Sequence, residues 1–268
     1  MVDFTKFYKD RFGDRCFISD RSVPASDGRT ISNVDHFSTA KRGKLHGKQF
    51  TGERDFNIMF AIDISSSQMF GSTVSKIDFA LNLAGKLSKI AHEIGDKAGL
   101  ALFSEDVELY KPACAHLCIP NLEKRKIGLG SDPRGAVKFL QNILRPSSVV
   151  FFISDFLYPD RIRNDLMEAL KNLSKRHDLI CVQLLDRVNL SISPIGKLML
   201  QDSESLDCVL CNFSDGQFSH IYADIDGKWA SKLHKDAKKV GLNFVAIENG
   251  CSVELAMEKC LDKRLAYV

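Results

Sequence analysis

From Asn57 onward, short apolar runs alternate with longer stretches whose apolar residues recur every three or four positions. That is the pattern of a mainly parallel sheet with helices on both faces. Phe56–Ile62 is predicted as the first strand. In Lys76–Ile94, the residues Ile77, Ala80, Ala84, Leu87, Ala91 and Ile94 fall at helical spacing, and Phe79, Leu83 and Ile90 add a second stripe, so this helix should be largely buried. Ser75, three residues before Asp78, is its expected N-cap. Lys97–Phe103 and Val107–Lys111 read as paired strands across the turn Ser104-Glu105-Asp106. Pro133 opens a helix to about Leu144. Ser148–Ser154 is continuously apolar, as a fully buried strand is, and is followed by an amphipathic helix, Asp160–Lys175, and a strand, Leu179–Leu185. Lys197–Leu200 and Cys208–Asn212 read as a hairpin at a sheet edge. Asp226 is expected to cap a helix containing the core anchor Trp229, before a strand, Asn243–Ile247, and a last helix, Val253–Leu261.

The expected class is therefore α/β, a Rossmann-like doubly wound sheet over residues 56–268 with an edge β-hairpin. Residues 1–55 lack this rhythm and are rich in Gly, Ser and Asp between Ser19 and Ser32; they read as an appended, partly extended segment.

Composition narrows the picture. With 44% hydrophobic and 26% charged residues, the 268-residue chain is ordinary globular protein. No apolar run approaches the roughly 18–20 residues of a membrane span, and the N-terminus has no hydrophobic signal region, so a soluble, cytoplasmic protein is expected. The eight cysteines are then expected as reduced thiols. Cys114-x3-Cys118 and Cys208-x-x-Cys211 could form a four-sulfur zinc site, but neither pair has a finger or ribbon context, and the reading preferred is cysteine as a small apolar residue. Residues 1–55 hold 11 Lys+Arg against 8 Asp+Glu, which accounts for the whole net charge of +3. Without interleaved aromatics or a recognisable module, this excess does not point to nucleic acid.

Chemistry is most concentrated in NIMFAIDISSSQMFGS, Asn57 to Ser72. Ligands of open parallel sheets bind beyond the carboxyl ends of the strands, near the point where strand order reverses. Asp63 closes the first strand, and Ser65 and Ser67 alternate with it, so one carboxylate and two hydroxyls can face one point. Such hard oxygen donors suit Mg2+ or Mn2+. VVFFIS ends in Asp155, a second carboxylate on the same edge, and two carboxylates kept close call for a cation. The plainer alternatives are turn hydroxyls for Ser65 and Ser67 and helix caps for Asp63 and Asp155.

The strand with Asp63-x-Ser65-x-Ser67, and Asp155 in ISDF, resembles the metal-ion-dependent adhesion site of von Willebrand factor type A domains. STAKRGKLHGKQFTGERDFNIMFAIDISSSQMFGS, KIDFALNLAGKLSKIAHEIGDKAGLALFS, FFISDF and KRHDLICVQLLD resemble, in order, the bacterial domain-of-unknown-function-58 family. The resemblance implies a strand order of three-two-one-four-five-six, with Asp63 and Asp155 at the switch point. It also implies a further ligand from GLGSDPRGAV, where Ser131 stands for the usual threonine and Asp132 either caps the Pro133 helix or joins the ion. His36 near Phe37 replaces a tryptophan common in relatives and reads as a packing residue. Many relatives carry membrane helices ahead of this region; none is read in this sequence.

The function expected is a non-enzymatic, cation-dependent protein-interaction module whose ion takes a partner's Glu or Asp. The family's association with MoxR-type AAA+ ATPases suggests such an ATPase as that partner. Gly43–Gln49 is one residue short of a phosphate loop and lacks its Ser/Thr. A Mg2+-dependent phosphoryl-transfer hydrolase would carry a second carboxylate where Ser65 stands, and a serine hydrolase would need G-x-S-x-G. A degenerate, metal-free binding site is the third alternative.

Overall fold

The structure, a computed structural model, describes residues 57–71, 73–111, 130–186 and 231–262, the shorter stretches 21–24, 46–49, 196–201 and 208–212, and the single positions Phe4, Tyr8, Ala40, Lys41, Gly128 and Trp229. The chain divides into two compact units, Phe12–Asp55 and Met1–Arg11 with Phe56–Val268. In the smaller, β1 (Arg21–Pro24) pairs antiparallel with β2 (His46–Gln49). The division falls between Asp55 and Phe56 and groups Met1–Arg11 with the larger unit. Tyr8 is buried and its hydroxyl donates to Asp96 Oδ2 at 3.0 Å, an attachment that no periodicity in so short a stretch announces.

The larger unit is built on six strands: β3 (Asn57–Asp63), β4 (Lys97–Phe103), β5 (Val107–Tyr110), β6 (Val149–Ser154), β7 (Asp178–Leu185) and β10 (Asn243–Glu248). Their order is β10-β7-β6-β3-β4-β5, parallel throughout except for β5. Counted along the chain from the β5 edge, this is three-two-one-four-five-six. The helices are α1 (Lys76–Ile94), α2 (Pro133–Ile143), α3 (Asp160–Ser174), α4 (231–240) and α5 (Val253–Asp262).

Alternation along the strands sorts the core into two faces. Met59 and Ala61 of β3 join Phe103, Phe152 and the apolar sides of α2, α3 and α4. Ile58, Phe60 and Ile62 point the other way, where α1 packs on β3, β4 and α5. Phe103 stacks on Phe152 at 4.9 Å on the first face, and Phe60 on Phe151 at 5.2 Å on the second. The chain leaves β3 for β4 through α1 on one face and reaches β6, on the other side of β3, through α2 on the opposite face. The two connections diverge at the carboxyl ends of β3 and β6 and leave a crevice there.

The local signals act as expected at α1: Ser75 Oγ accepts the amide N–H of Asp78 at 3.0 Å, and Gly95 closes the helix at φ 88°. Trp229 packs partly buried on the core, with the Arg163 guanidinium 5.7 Å from its ring centre. The hairpin is a correction. β8 (Lys197–Gln201) and β9 (Cys208–Asn212) pair antiparallel but form a sheet of their own. The main sheet ends at β10 on that side, so the place beside β7 is already taken, and Met199, Val209 and Leu210 of the hairpin stand exposed.

Phe152 is buried with its ring against Phe103 of β4 and Phe156 just beyond β6, so Phe152→Ala should destabilise the fold by about 3–5 kcal/mol. Urea unfolding of both proteins at one pH measures it.

Candidate metal and partner site

The crevice is lined by three segments. In the first, β3 ends at Asp63, which is buried, and the chain turns through Ser65 into a short 3-10 turn, Ser66–Met69. The Ser65 amide donates to Asp63 Oδ1 at 3.0 Å, and the Ser65 and Ser67 hydroxyls lie 3.2 Å apart. Gln68, buried, donates from Nε2 to Ser67 Oγ at 3.3 Å. The alternation of Asp63, Ser65 and Ser67 thus brings the two hydroxyls together beside the strand end.

The second segment carries Ser131. Gly128 forms an isolated parallel bridge with Ser65, and the Asp132 amide donates to the Ser104 carbonyl at 2.7 Å. A Cβ on Gly128 would stand 2.3 Å from the Ser104 side chain, so only glycine allows this approach. Asp132 is exposed and caps α2, its Oδ1 accepting from the Gly135 amide at 3.0 Å. The Ser131 hydroxyl is enclosed and has no hydrogen-bond partner.

The third segment follows β6. Asp155, buried, does not cap α3, whose N-cap is Pro159. Its Oδ1 instead accepts the Leu157 amide at 3.1 Å, its carbonyl accepts from Gln183 Nε2 at 3.2 Å, and its Oδ2 accepts from Lys76 Nζ at 3.0 Å. The next residue, Phe156, is left-handed at φ 58°, a conformation that costs a non-glycine residue about 1–2 kcal/mol. Its ring, buried 5.0 Å from Phe244 and 5.9 Å from Phe152, holds it there.

Asp63 and Asp155 feel each other. Burial, and after it the charge of Asp155, push the Asp63 carboxyl above its ordinary value of 3.8, while hydrogen bonds from Tyr158 and Ser65 oppose the shift. Tyr158 donates to Asp63 Oδ2 at 2.5 Å and Ser154 Oγ donates to the same oxygen at 3.0 Å. Burial and the two carboxylates raise the Tyr158 hydroxyl well above its ordinary 10.0, so it serves as a fixed donor. Lys76 is 4% exposed and forms a buried ion pair with Asp155; breaking such a pair by removing one partner costs about 3–5 kcal/mol.

Asp63, Ser65, Ser67, Ser131 and Asp155 therefore come to one edge of the sheet, while Asp132 is committed to its helix. Lys76, Tyr158 and Ser154 were missed. Lys76 had a signal: a lysine in the first turn of a helix opposes the helix dipole, and position 76 lies on the buried stripe with Ala80, Leu83 and Leu87. The two carboxylates call for a cation, and the chain supplies one of its own in the Lys76 ammonium. Among the described residues no cluster of three or more His, Cys, Asp or Glu could hold a metal, so a cation here would rest on a mixed hydroxyl and carboxylate set. Cys208 stands exposed on β9; Cys114, Cys118 and His36 lie outside the described residues. Among those described, no helix is long and apolar enough to cross a membrane.

A strand order of this kind, with a crevice at its switch point, defines a Rossmann-like, doubly wound α/β fold. The chain belongs to the family described as "Protein of unknown function DUF58", whose model matches residues 25–226. It is similar to the uncharacterised protein Rv1480 of Mycobacterium tuberculosis, 24% identical over 187 residues, which are 66% of this chain and 58% of that protein. The chain thus spans somewhat over half the length of this relative. An aerotolerance-related membrane protein from Bacteroides fragilis superposes with a TM-score of 0.50 at 16% identity, over 78% of this chain and 99% of that one. The pilus adhesin SpaC from Lactobacillus rhamnosus GG does so with 0.51 at 8% identity, over 82% and 32%. At these identities the likeness is one of fold.

Because the Asp63 carboxyl is raised above 3.8 in the fold, its contribution to stability is full below the unfolded value and is lost as pH rises through the folded one. In EDTA, Asp63→Asn should gain stability relative to the native chain as pH rises from about 4 to 7. Urea unfolding across that range reads the difference, and a pH-independent offset would show that ionised Asp63 is not penalised.

Proposed function

We propose that the chain is a non-enzymatic, cation-dependent protein-interaction module, in which Asp63, Ser65, Ser67, Ser131 and Asp155 hold Mg2+ or Mn2+. The von Willebrand factor A-like resemblance suggests protein interaction. The observation that carries the metal reading is the enclosed, unpartnered Ser131 hydroxyl, on a segment joined to Ser65 by the Gly128 bridge. A buried hydroxyl without a partner calls for a ligand or a polar neighbour, and the Gly128 bridge brings its segment beside Ser65, on the strand edge that carries the two carboxylates. An ion bound there would offer an open position to a Glu or Asp of the partner. The MoxR-type AAA+ ATPase as that partner is carried by the family resemblance alone.

The contact of Lys76 with Asp155 favours a second reading, in which the ammonium does the work of the ion and partners bind without metal.

Calorimetry separates the two. The native chain should bind Mn2+. Asp155→Ala and Asp63→Ala should abolish binding, and Ser131→Ala should weaken it by about ten-fold, the size usual for losing one supporting group at a metal site. Circular dichroism checks that each variant is folded. Equal Mn2+ affinity in all four folded proteins would remove this site as the metal site, and absence of binding to the native chain would leave the metal-free reading.

A further inference from the structure

Lys76 bears on the metal reading directly. We infer that Lys76 is the site's own competitor for the divalent cation, so that its ammonium and the metal share Asp155 and the lysine sets the metal affinity. This rests on the metal reading of the preceding section and adds a residue that the sequence pattern did not assign to it.

Charge balance is the first argument. Two ionised carboxylates in one buried crevice carry two negative charges; a divalent cation matches them, whereas the cation and the Lys76 ammonium together would leave a buried excess of positive charge. Coulomb energy in a partly buried site is several-fold larger than in water, so the two cations exclude one another at Asp155 Oδ2.

The second argument is mechanical. The backbone around Lys76 is clamped: its amide donates to the Phe70 carbonyl at 3.2 Å, and the Val74 carbonyl is held by Asn249 Nδ2. Asn249 is itself buried and bonded to Asp186 at 3.0 Å. The helix start is therefore held in place, and an exchange of cations at Asp155 would fall on the four-carbon stem of the lysine side chain alone, at the cost of its ion pair. Thr73, Val74 and Gly71 beside it are exposed, so an outward ammonium reaches water within its own length. The helix dipole also favours that exit, since it disfavours a cation at the N-terminal turn and the ion pair there, among the described residues, is with Asp155.

The test measures Mn2+ binding by calorimetry on the full chain, its Lys76→Met variant and its Lys76→Arg variant. Lys76→Met should bind Mn2+ more tightly by about ten-fold or more, the effect of removing one full positive charge a few ångströms from another. Lys76→Arg, which keeps the charge, should bind no tighter than the native chain. The rise in melting temperature on adding Mn2+ should be larger for Lys76→Met, following its affinity. A second measurement needs no variant: acylation of Lys76 in the native chain, read by mass spectrometry, should increase when Mn2+ is added. Equal or weaker binding by folded Lys76→Met, with the native chain binding, overturns the competition and leaves the metal site standing; so does acylation unchanged by bound Mn2+. Binding by Lys76→Met alone supports the competition and shows that the lysine keeps the native site metal-free. No binding by any of the three removes the metal site, and the competition with it.

Discussion

Two carboxylates, Asp63 and Asp155, end adjacent parallel strands and are both buried. Their mutual repulsion, together with the loss of water, is the constraint that the surrounding structure answers. Asp63 is met by hydrogen-bond donors, with Tyr158, Ser154 and the Ser65 amide taking its two oxygens. Asp155 is met by a charge, the Lys76 ammonium. The two solutions differ in kind, and the difference assigns the two residues different parts. Asp63 is held in a fixed frame, while Asp155 has a cation that a rotamer change can remove.

The fold creates this problem on purpose of place rather than of packing. Divergence of the connections after β3 and β6 opens the crevice, and the left-handed Phe156 directs the chain immediately after Asp155. Strain of that kind persists only where neighbours enforce it, and here the Phe152 and Phe244 rings do so. The same crevice draws in the Ser131 segment because Gly128 lets the backbone press against Ser104. Apolar packing below the crevice and polar satisfaction within it are thus coupled through single residues at the strand ends.

Most of the architecture was legible in the sequence because both its signals are local. The periodicity of Lys76–Ile94 and the unbroken apolar run of Val149–Ser154 gave the elements within a residue or so of their observed ends, and Ser75 and Pro133 marked two helix starts. The hairpin was placed at an edge because a pattern of short apolar strands does not say which edge is vacant, and β10, arriving later in the chain, occupies it. In the site, Asp63, Ser65 and Ser67 were legible as a spaced motif. Tyr158 was not, because its role depends on a loop turning back over β3, and Lys76 served only to mark the start of a helix although it lies on the buried stripe.

We hold a divalent cation and the Lys76 ammonium to be alternative occupants of one oxygen-lined crevice in this DUF58-family domain. The most direct measurement is a crystal structure of the native chain with Mn2+, phased on the anomalous signal of manganese. An anomalous peak is expected among the Asp63 and Asp155 carboxylates and the Ser65, Ser67 and Ser131 hydroxyls, with the Lys76 side chain turned out toward solvent. A peak elsewhere, or none at saturating Mn2+ with Lys76 still on Asp155, would contradict this exchange.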